Sequence, residues 1–140
     1  MKVLITGNII HDIKFDDELI VHIGSVKYTT ENKKYIFING NINSLDLINY
    51  VLNKYEITKI IHFFLKSDIN VSPIDYTKEN IIGIHNLLEL SHKYEKLQEF
   101  CYITNKKTQD ITLFGATQKS IEPIIQLYNN KLPIIIYEND

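Results

Sequence analysis

The opening stretch MKVLITGNIIHDI, residues 1–13, begins as a strand and leads into a single glycine. Its apolar run KVLIT is typical of a strand covered on both faces, and Gly7 follows as the first glycine of a phosphate-binding loop would. Such a loop needs two further glycines, but the third and sixth residues after Gly7 are Ile10 and Ile13. The stretch therefore predicts the first strand of a parallel sheet, followed by an incomplete phosphate loop.

Similar apolar runs recur along the chain, separated by segments with helical periodicity. They are KVLIT, LIVHI, KYIFI, KIIHFF, EFCYI and LPIIIY. Strands that alternate with helices imply right-handed crossovers, so we predict an α/β fold with a Rossmann-like, doubly wound, mainly parallel sheet of about six strands. The first two runs are joined by residues 8–18, which is short for a parallel crossover. We therefore expect the first crossover helix to be shortened or lost.

Helices are predicted between these runs. Ser44 can cap a helix whose apolar face is formed by Leu45, Ile48, Leu52 and Tyr55. A longer helix over residues 77–94 would align Ile81, Ile84, Leu88 and Ser91. Pro123 would weaken a later helix unless that helix begins near Ser120, which would place the proline in its first turn.

The composition suits one soluble domain over residues 1–140, with 44% hydrophobic and 23% charged residues. A net charge of -2, with lysine as the only basic type besides histidine, argues against nucleic acid as a partner. No apolar stretch approaches a membrane span, so we expect no membrane partner and a cytoplasmic location. Cys101 is predicted to be a buried, inert thiol. The five histidines have no spacing typical of a metal site, so no metal is expected.

Residues 35–100 closely resemble the central part of the nucleotide-sugar (dTDP/UDP-glucose) 4,6-dehydratases, which are extended short-chain dehydrogenases/reductases. The family's motifs F-x-x-G-D-I, I-I-H-F-A-A and Y-x-x-x-N-x-x-G-T-x-x-L-L-E are matched by residues 37–42, 60–65 and 76–89. Residues 113–136 are similar to the family's Y-G-A-T-K helix and the sixth strand that follows it. Because the chain ends soon afterwards, the resemblance implies a truncated, degenerate member without the C-terminal domain that holds the sugar nucleotide.

The family binds NAD, and the resemblance shows where its contacts would fall. The acid that ends the second strand and holds the adenosine ribose would be Gly24, which has no side chain. The cofactor-binding positions that remain are interpreted as vestigial, and they are Gly7, Asn41, Ile42, Phe64 and Asn80. We therefore expect no cofactor to bind tightly.

The resemblance also implies that the catalytic residues are lost. The family's S-T-D-E, whose threonine orients the sugar and whose acids perform the dehydration, aligns with Thr104, Asn105, Lys106 and Lys107. Protonated lysines cannot replace carboxyl groups in this acid-base chemistry. The family's Y-x-x-x-K falls on Phe114 and Gln118, and Lys119 lies about 100° further round the helix. No catalytic residue is therefore expected among these counterparts.

Three functions stay open at this point. The first is an inactive remnant (a pseudoenzyme), and the second is an interaction subunit. The third is an enzyme with altered chemistry or a protein that binds a nucleotide or NAD weakly. The first two are favoured. Family members dimerise through the helices that match residues 77–94 and 114–129, so we expect a homodimer there, or a heteromer with a full-length dehydratase. Substituting Leu88 with aspartate is expected to dissociate such a dimer.

Overall fold

The computed structural model describes residues 1–9, 19–30, 34–63, 72–105 and 113–139. Their centre is one six-stranded sheet. Its strands are β1 (Lys2–Thr6), β2 (Leu19–Gly24), β3 (Tyr35–Asn39), β4 (Lys59–Phe63), β5 (Glu99–Asn105) and β6 (Ile134–Asn139). The strand order is β3-β2-β1-β4-β5-β6, and every pair is parallel. The predicted doubly wound, Rossmann-like sheet is confirmed.

The register lines up residues of one kind across the sheet. Leu4 is level with Val21 on one side and Ile60 on the other, and Ile60 is level with Phe100. All four side chains are buried in the larger of two core clusters. Because successive residues in a strand point to opposite faces, Val3, Ile5, Ile20 and Phe63 form the second cluster on the other face.

Two residues further along the strands, the row of side chains that includes Leu4 is followed by a polar row on the same face of the sheet. Thr6 is level with His62, and His62 with Tyr102, on the same face of the sheet as Leu4. All three are at most 2% exposed. The apolar core therefore gives way to hydrogen-bonding groups as the strands approach their carboxyl ends.

Within the described residues, four α-helices and one π-helical segment accompany the sheet. They are α1 (Leu45–Lys54), α2 (Pro73–Thr77), the π-helical segment Lys78–Gly83, α3 (Ile84–Tyr94) and α4 (Leu113–Tyr128). Ser44 caps α1 as predicted, because its Oγ accepts a hydrogen bond from the backbone N–H of Leu47 at 3.3 Å. At α2, Ser72 accepts from the N–H of Asp75 at 3.2 Å, and Pro73 occupies the first turn.

Two details of the predicted helices were wrong. The helical segment before β5 begins at Pro73 rather than at residue 77, because Ser72 and Pro73 together start it. In α1, Leu45 is 47% exposed, and the buried face consists instead of Ile48, Val51 and Leu52. Helix α4 lies close to the predicted range 114–129 and has Pro123 in its interior.

Other expectations have mixed outcomes. Cys101 is buried on β5, as predicted. The first crossover falls in residues 10–18, outside the described residues. No helix in the described part of the chain is long and apolar enough to span a membrane.

Candidate functional site

The strand order reverses between β1 and β4, and this point fixes where a site is expected. In open parallel sheets, ligands bind outside the carboxyl ends of the strands where the order reverses. Thr6 ends β1 and Phe63 ends β4. The candidate site is therefore the carboxyl edge of the sheet around these two strands.

Gly7 turns the chain at this edge and requires the absence of a side chain. Its φ is +87°, in the left-handed region that favours glycine, and an added Cβ would collide with the carbonyl oxygen of Phe63. Its N–H donates to the carbonyl of Ile23 at 3.0 Å. The first glycine of the predicted loop therefore keeps the backbone role of a phosphate-loop glycine.

His22 holds the carbonyl of Gly7 in place through a hydrogen bond. Its Nε2 lies 2.6 Å from the Gly7 oxygen, and its Nδ1 lies 2.5 Å from the hydroxyl oxygen of Tyr35. A carbonyl can only accept, so Nε2 carries the proton, and the neutral ring accepts at Nδ1 from Tyr35. The Tyr35 oxygen in turn accepts from the N–H of Tyr28 at 3.1 Å. Burial lowers the pKa of His22, an effect that the bond to Gly7 partly offsets.

Asn8 joins the ends of β1 and β2. Its Oδ1 accepts from the backbone N–H groups of Ser25, at 3.1 Å, and Val26, at 3.3 Å. Its Nδ2 lies 3.0 Å from the Ser25 hydroxyl. The crevice between the two strand ends is thus bridged by protein groups.

These groups leave no room for a side chain at Gly24. An added Cβ there would lie 2.7 Å from His22 Nε2, 2.8 Å from the Gly7 carbonyl oxygen and 3.2 Å from Asn8 Oδ1. All three distances are shorter than ordinary van der Waals contact, and one neighbour is backbone. The position where the resemblance expects a ribose-binding acid is therefore filled by a hydrogen-bonded network.

The opposite face of the same edge is polar but closed. Thr6 Oγ1 lies 2.7 Å from His62 Nδ1, and the His62 ring stacks on Tyr102 with centroids 5.9 Å apart. His62 Nε2 finds no hydrogen-bond partner among the described residues. Desolvation lowers the pKa of His62 to about 3, so the ring is neutral.

The sequence-predicted positions on the helical segments differ in burial. Asn80, in the π-helical segment, is fully buried and donates a long hydrogen bond of 3.5 Å to Thr117 of α4. Gln118 is also buried, whereas Lys119 is exposed. The one-residue offset of this lysine therefore places it on the outer side of α4, as its spacing predicted.

The remaining sequence-predicted positions differ in their surroundings. Asn41 is exposed and accepts at Oδ1 from the N–H of Asn43 at 2.9 Å, which stabilises a local turn. Ile42 is 1% exposed and belongs to the core. The other positions lie outside the described residues, wholly or in their side chains, and are Phe64, Asn105, Lys106, Lys107 and Phe114. The structure thus brings Gly7 and Gly24 together, and the N–H of Gly40, beside Asn41, donates to the Gly24 carbonyl at 3.2 Å.

Sequence reasoning missed the network around His22. Its members come from β1, β2, β3 and the loops after them, so no local motif announces it. The available signal was a histidine inside the otherwise apolar run LIVHI, two residues before Gly24. Side chains two apart in a strand share a face, so this ring can reach the space above Gly24.

The match to a known family extends over most of the chain. Residues 4–120 match the family described as GDP-mannose 4,6 dehydratase. The chain belongs to this family. Membership agrees with the resemblance to nucleotide-sugar dehydratases and with the Rossmann-like sheet.

Individual family relatives are longer than this chain. One relative is the trifunctional UDP-glucose 4,6-dehydratase/UDP-4-keto-6-deoxy-D-glucose 3,5-epimerase/UDP-4-keto-L-rhamnose-reductase of Arabidopsis thaliana. The two sequences are 35% identical over 71 residues, and the match covers 49% of this chain and 11% of the relative. This chain is 26% identical over 151 residues to the dTDP-D-glucose 4,6-dehydratase of Dictyostelium discoideum, covering 93% of this chain and 35% of that one. The chain therefore spans about a tenth and about a third of these two relatives.

A solved structure supports the fold independently. The dTDP-glucose 4,6-dehydratase DesIV from Streptomyces venezuelae, solved with NAD and TYD bound, has a TM-score of 0.69. The two sequences are 14% identical, and the match covers 86% of this chain and 45% of DesIV. At this identity the likeness shows a shared fold.

The described residues do not fit NAD in the way that the family resemblance implies. An acidic side chain at Gly24 would overlap His22 and the Gly7 carbonyl, and the bridge from Asn8 to Ser25 spans the adjoining crevice. Within residues 1–9 and 19–30, the turn at Gly7 keeps the geometry that a dinucleotide loop requires.

Proposed function

We propose that this chain is a non-catalytic member of the nucleotide-sugar 4,6-dehydratase family that acts by association with other protein chains. The observation that carries the proposal is the filled space at Gly24, where hydrogen-bonded protein groups occupy the place of a ligand-binding side chain. A site kept for a cofactor would be expected to leave that space open.

Loss of tight NAD binding is part of this proposal. Without the ribose acid, each buried polar group left unpaired costs about 1 to 3 kcal/mol. Isoleucines at positions 10 and 13 add branched side chains where the pyrophosphate would need close backbone approach. A weak nucleotide-binding function is the second candidate, and the preserved turn at Gly7 favours it.

Loss of dehydratase chemistry is the other part. The counterparts of the family's acid pair are Lys106 and Lys107, and the counterpart of its tyrosine is Phe114. None of these side chains offers a carboxyl group or a phenol, so proton donation and abstraction have no evident agent. Lys119 is exposed on α4 and does not replace the missing lysine at Gln118.

A direct assay tests this proposal. The purified chain is incubated with NAD and either dTDP-glucose or UDP-glucose, and the sugar nucleotides are separated by chromatography. The dTDP-D-glucose 4,6-dehydratase of Dictyostelium discoideum serves as the positive control. We expect no conversion by this chain under conditions where the control reacts to completion, and a dehydrated product that accumulates in proportion to chain concentration would refute the proposal.

Association is proposed to use the outer faces of the helical segments at 77–94 and 114–129, in a homodimer or with a full-length dehydratase. Ile82 is 52% exposed and Leu127 is 71% exposed, so each segment carries an apolar side chain on its surface. Leu88 is fully buried in the core. The expectation that aspartate at this position tests the dimer was therefore wrong, because that variant would disrupt folding instead.

A further inference from the structure

Asn39 is followed by Gly40, the arrangement in which an asparagine side chain loses its amide most readily. In this reaction the backbone nitrogen of the following residue attacks the amide carbon of the side chain, and a glycine has no Cβ to hinder the approach. Asn39 is the only asparagine of the chain that is followed by glycine. It is also exposed, as the last residue of β3, so water can reach it.

The sheet holds the attacking nitrogen away from this side chain. The N–H of Gly40 donates to the carbonyl of Gly24 at 3.2 Å, and this bond extends the ladder between β3 and β2 by one residue. Asn39 is level with Gly24 in that ladder. The Gly40 nitrogen must turn toward the Asn39 side chain and lose its proton before it can attack. Neither step is possible while the proton is donated to Gly24.

The end of β3 is held less firmly than the middle of the sheet. No residue of β3 is fully buried, whereas β2 buries five of its six residues. Segments with few buried contacts open locally at a lower free energy than the core does. The bond between Gly40 and Gly24 can therefore open while the rest of the sheet stays folded.

We propose that Asn39 is a modification site, at which asparagine converts to aspartate or isoaspartate when the bond from Gly40 to Gly24 opens. In the first step the Gly40 nitrogen forms a bond to Cγ of Asn39. The bond from Cγ to Nδ2 breaks, and ammonia leaves with the proton of the Gly40 N–H. In the second step one water molecule opens the resulting five-membered imide at either of its two carbonyls. The reaction needs no oxidant, reductant or further reactant.

The products change the edge of the sheet that contains the candidate site. Both carry a carboxylate in place of a neutral amide, so the carboxyl end of β3 gains one negative charge at neutral pH. In isoaspartate the main chain also runs through the former side chain, which adds one carbon between residues 39 and 40. This addition shifts Gly40 relative to Gly24. It also shifts the turn that follows, in which Asn41 Oδ1 accepts from the N–H of Asn43.

Mass spectrometry of the stored protein tests the site. The wild-type chain is incubated at pH 8 in buffer and, separately, in urea. Cleavage after lysine then releases residues 35–54 as one peptide, and tandem spectra locate each converted asparagine in it. Asn43 is the internal control, because it is also exposed and is followed by serine.

We expect Asn39 to react faster than Asn43 in urea, and at least about tenfold more slowly in buffer than in urea. A tenfold slowing corresponds to an opening free energy of about 1.4 kcal/mol. Hydrogen exchange of the Gly40 N–H, followed by NMR, should be slowed by a similar factor, because both reactions need the same opening. Gly40→Ala should slow the reaction of Asn39 in urea, since its Cβ hinders the attack.

A variant at the acceptor tests the control of the reaction by this bond. Gly24→Ala should raise the rate of Asn39 in buffer and leave the rate in urea unchanged, because its Cβ disturbs the end of β2. If this variant does not fold, the comparison of the two wild-type rates with hydrogen exchange decides. Three results would overturn the proposal: no faster reaction at Asn39 than at Asn43 in urea, equal rates in buffer and urea, or a slowing in buffer that differs widely from that of the Gly40 exchange.

Discussion

Two histidines lie inside the sheet, one on each face, and both are neutral. His22 donates to a backbone carbonyl and accepts from Tyr35, whereas His62 contacts Thr6 and stacks on Tyr102. Desolvation lowers the pKa of each ring. The fold therefore depends on keeping both rings uncharged.

Acidification is accordingly predicted to destabilise the protein before its carboxyl groups titrate. The unfolded chain binds a proton on each histidine below about pH 6.5, but folded His62 does so only near its pKa of about 3. Between these values His62 lowers the free energy of unfolding by up to about 1.4 kcal/mol for each unit that the pH falls, and the lowered pKa of His22 acts in the same direction. Urea unfolding at pH 7, 6 and 5 measures this slope.

The variant His62→Gln should have a shallower slope than wild type, because it removes one of the two groups. Equal slopes for wild type and His62→Gln would contradict the neutral, buried state of this ring.

Packing at Gly24 gives a second prediction at the residue scale. Gly24→Ala should lower the free energy of unfolding by about 1 to 3 kcal/mol, since the added methyl overlaps the Gly7 carbonyl and the His22 ring. The control is Gly40→Ala, where the nearest atom is the flexible end of Leu47 at 3.0 Å. Thermal or urea unfolding compares the stability of the two variants. If Gly24→Ala were as stable as Gly40→Ala, the His22 ring and the Gly7 carbonyl would have moved to accommodate the methyl group, and the prediction would be wrong.

The thiol of Cys101 should be inert in the folded protein. It is 3% exposed, and burial, followed by the neighbouring Glu99, raises its pKa to about 12. A thiol reagent at pH 8 is expected to label none of the native protein and one thiol per chain in denaturant. Labelling of native protein at the rate of a small free thiol would contradict this burial.

At the scale of elements, the sequence predicted strands better than helices. Continuous apolar runs locate all six strands because a buried parallel strand has no polar face to interrupt it. The start of the helical segment at Pro73 was missed, although Ser72 and Pro73 are a recognisable capping pair. The network at His22 could not be predicted, because it depends on how three strands are placed beside one another.

The helical contact gives the prediction at this scale. Ile82→Asp and Leu127→Asp should each lower the sedimenting mass while leaving the circular dichroism spectrum and stability near wild type, since both side chains are exposed. Leu88→Asp should instead unfold the protein, because it buries an unpaired charge in the core. Unchanged mass for both surface variants would exclude the helical contact.

At the scale of the whole molecule, the chain has the fold of its solved structural neighbours, and its own side chains fill the space beside Gly24. The six-stranded parallel sheet matches that of DesIV with a TM-score of 0.69. The groups packed around Gly24 and the bridge from Asn8 to Ser25 are formed by residues of this chain. Fold and ligand site are encoded by different residues, so one can persist while the other changes.

Isothermal titration calorimetry with NAD tests this account most directly. The wild-type chain is titrated at pH 7.5 beside DesIV, whose solved structure contains NAD. We predict that the chain gives no saturable heat in the submicromolar range, because the groups around Gly24 occupy the ribose position. Saturable binding of NAD or NADP with a submicromolar dissociation constant would contradict the account.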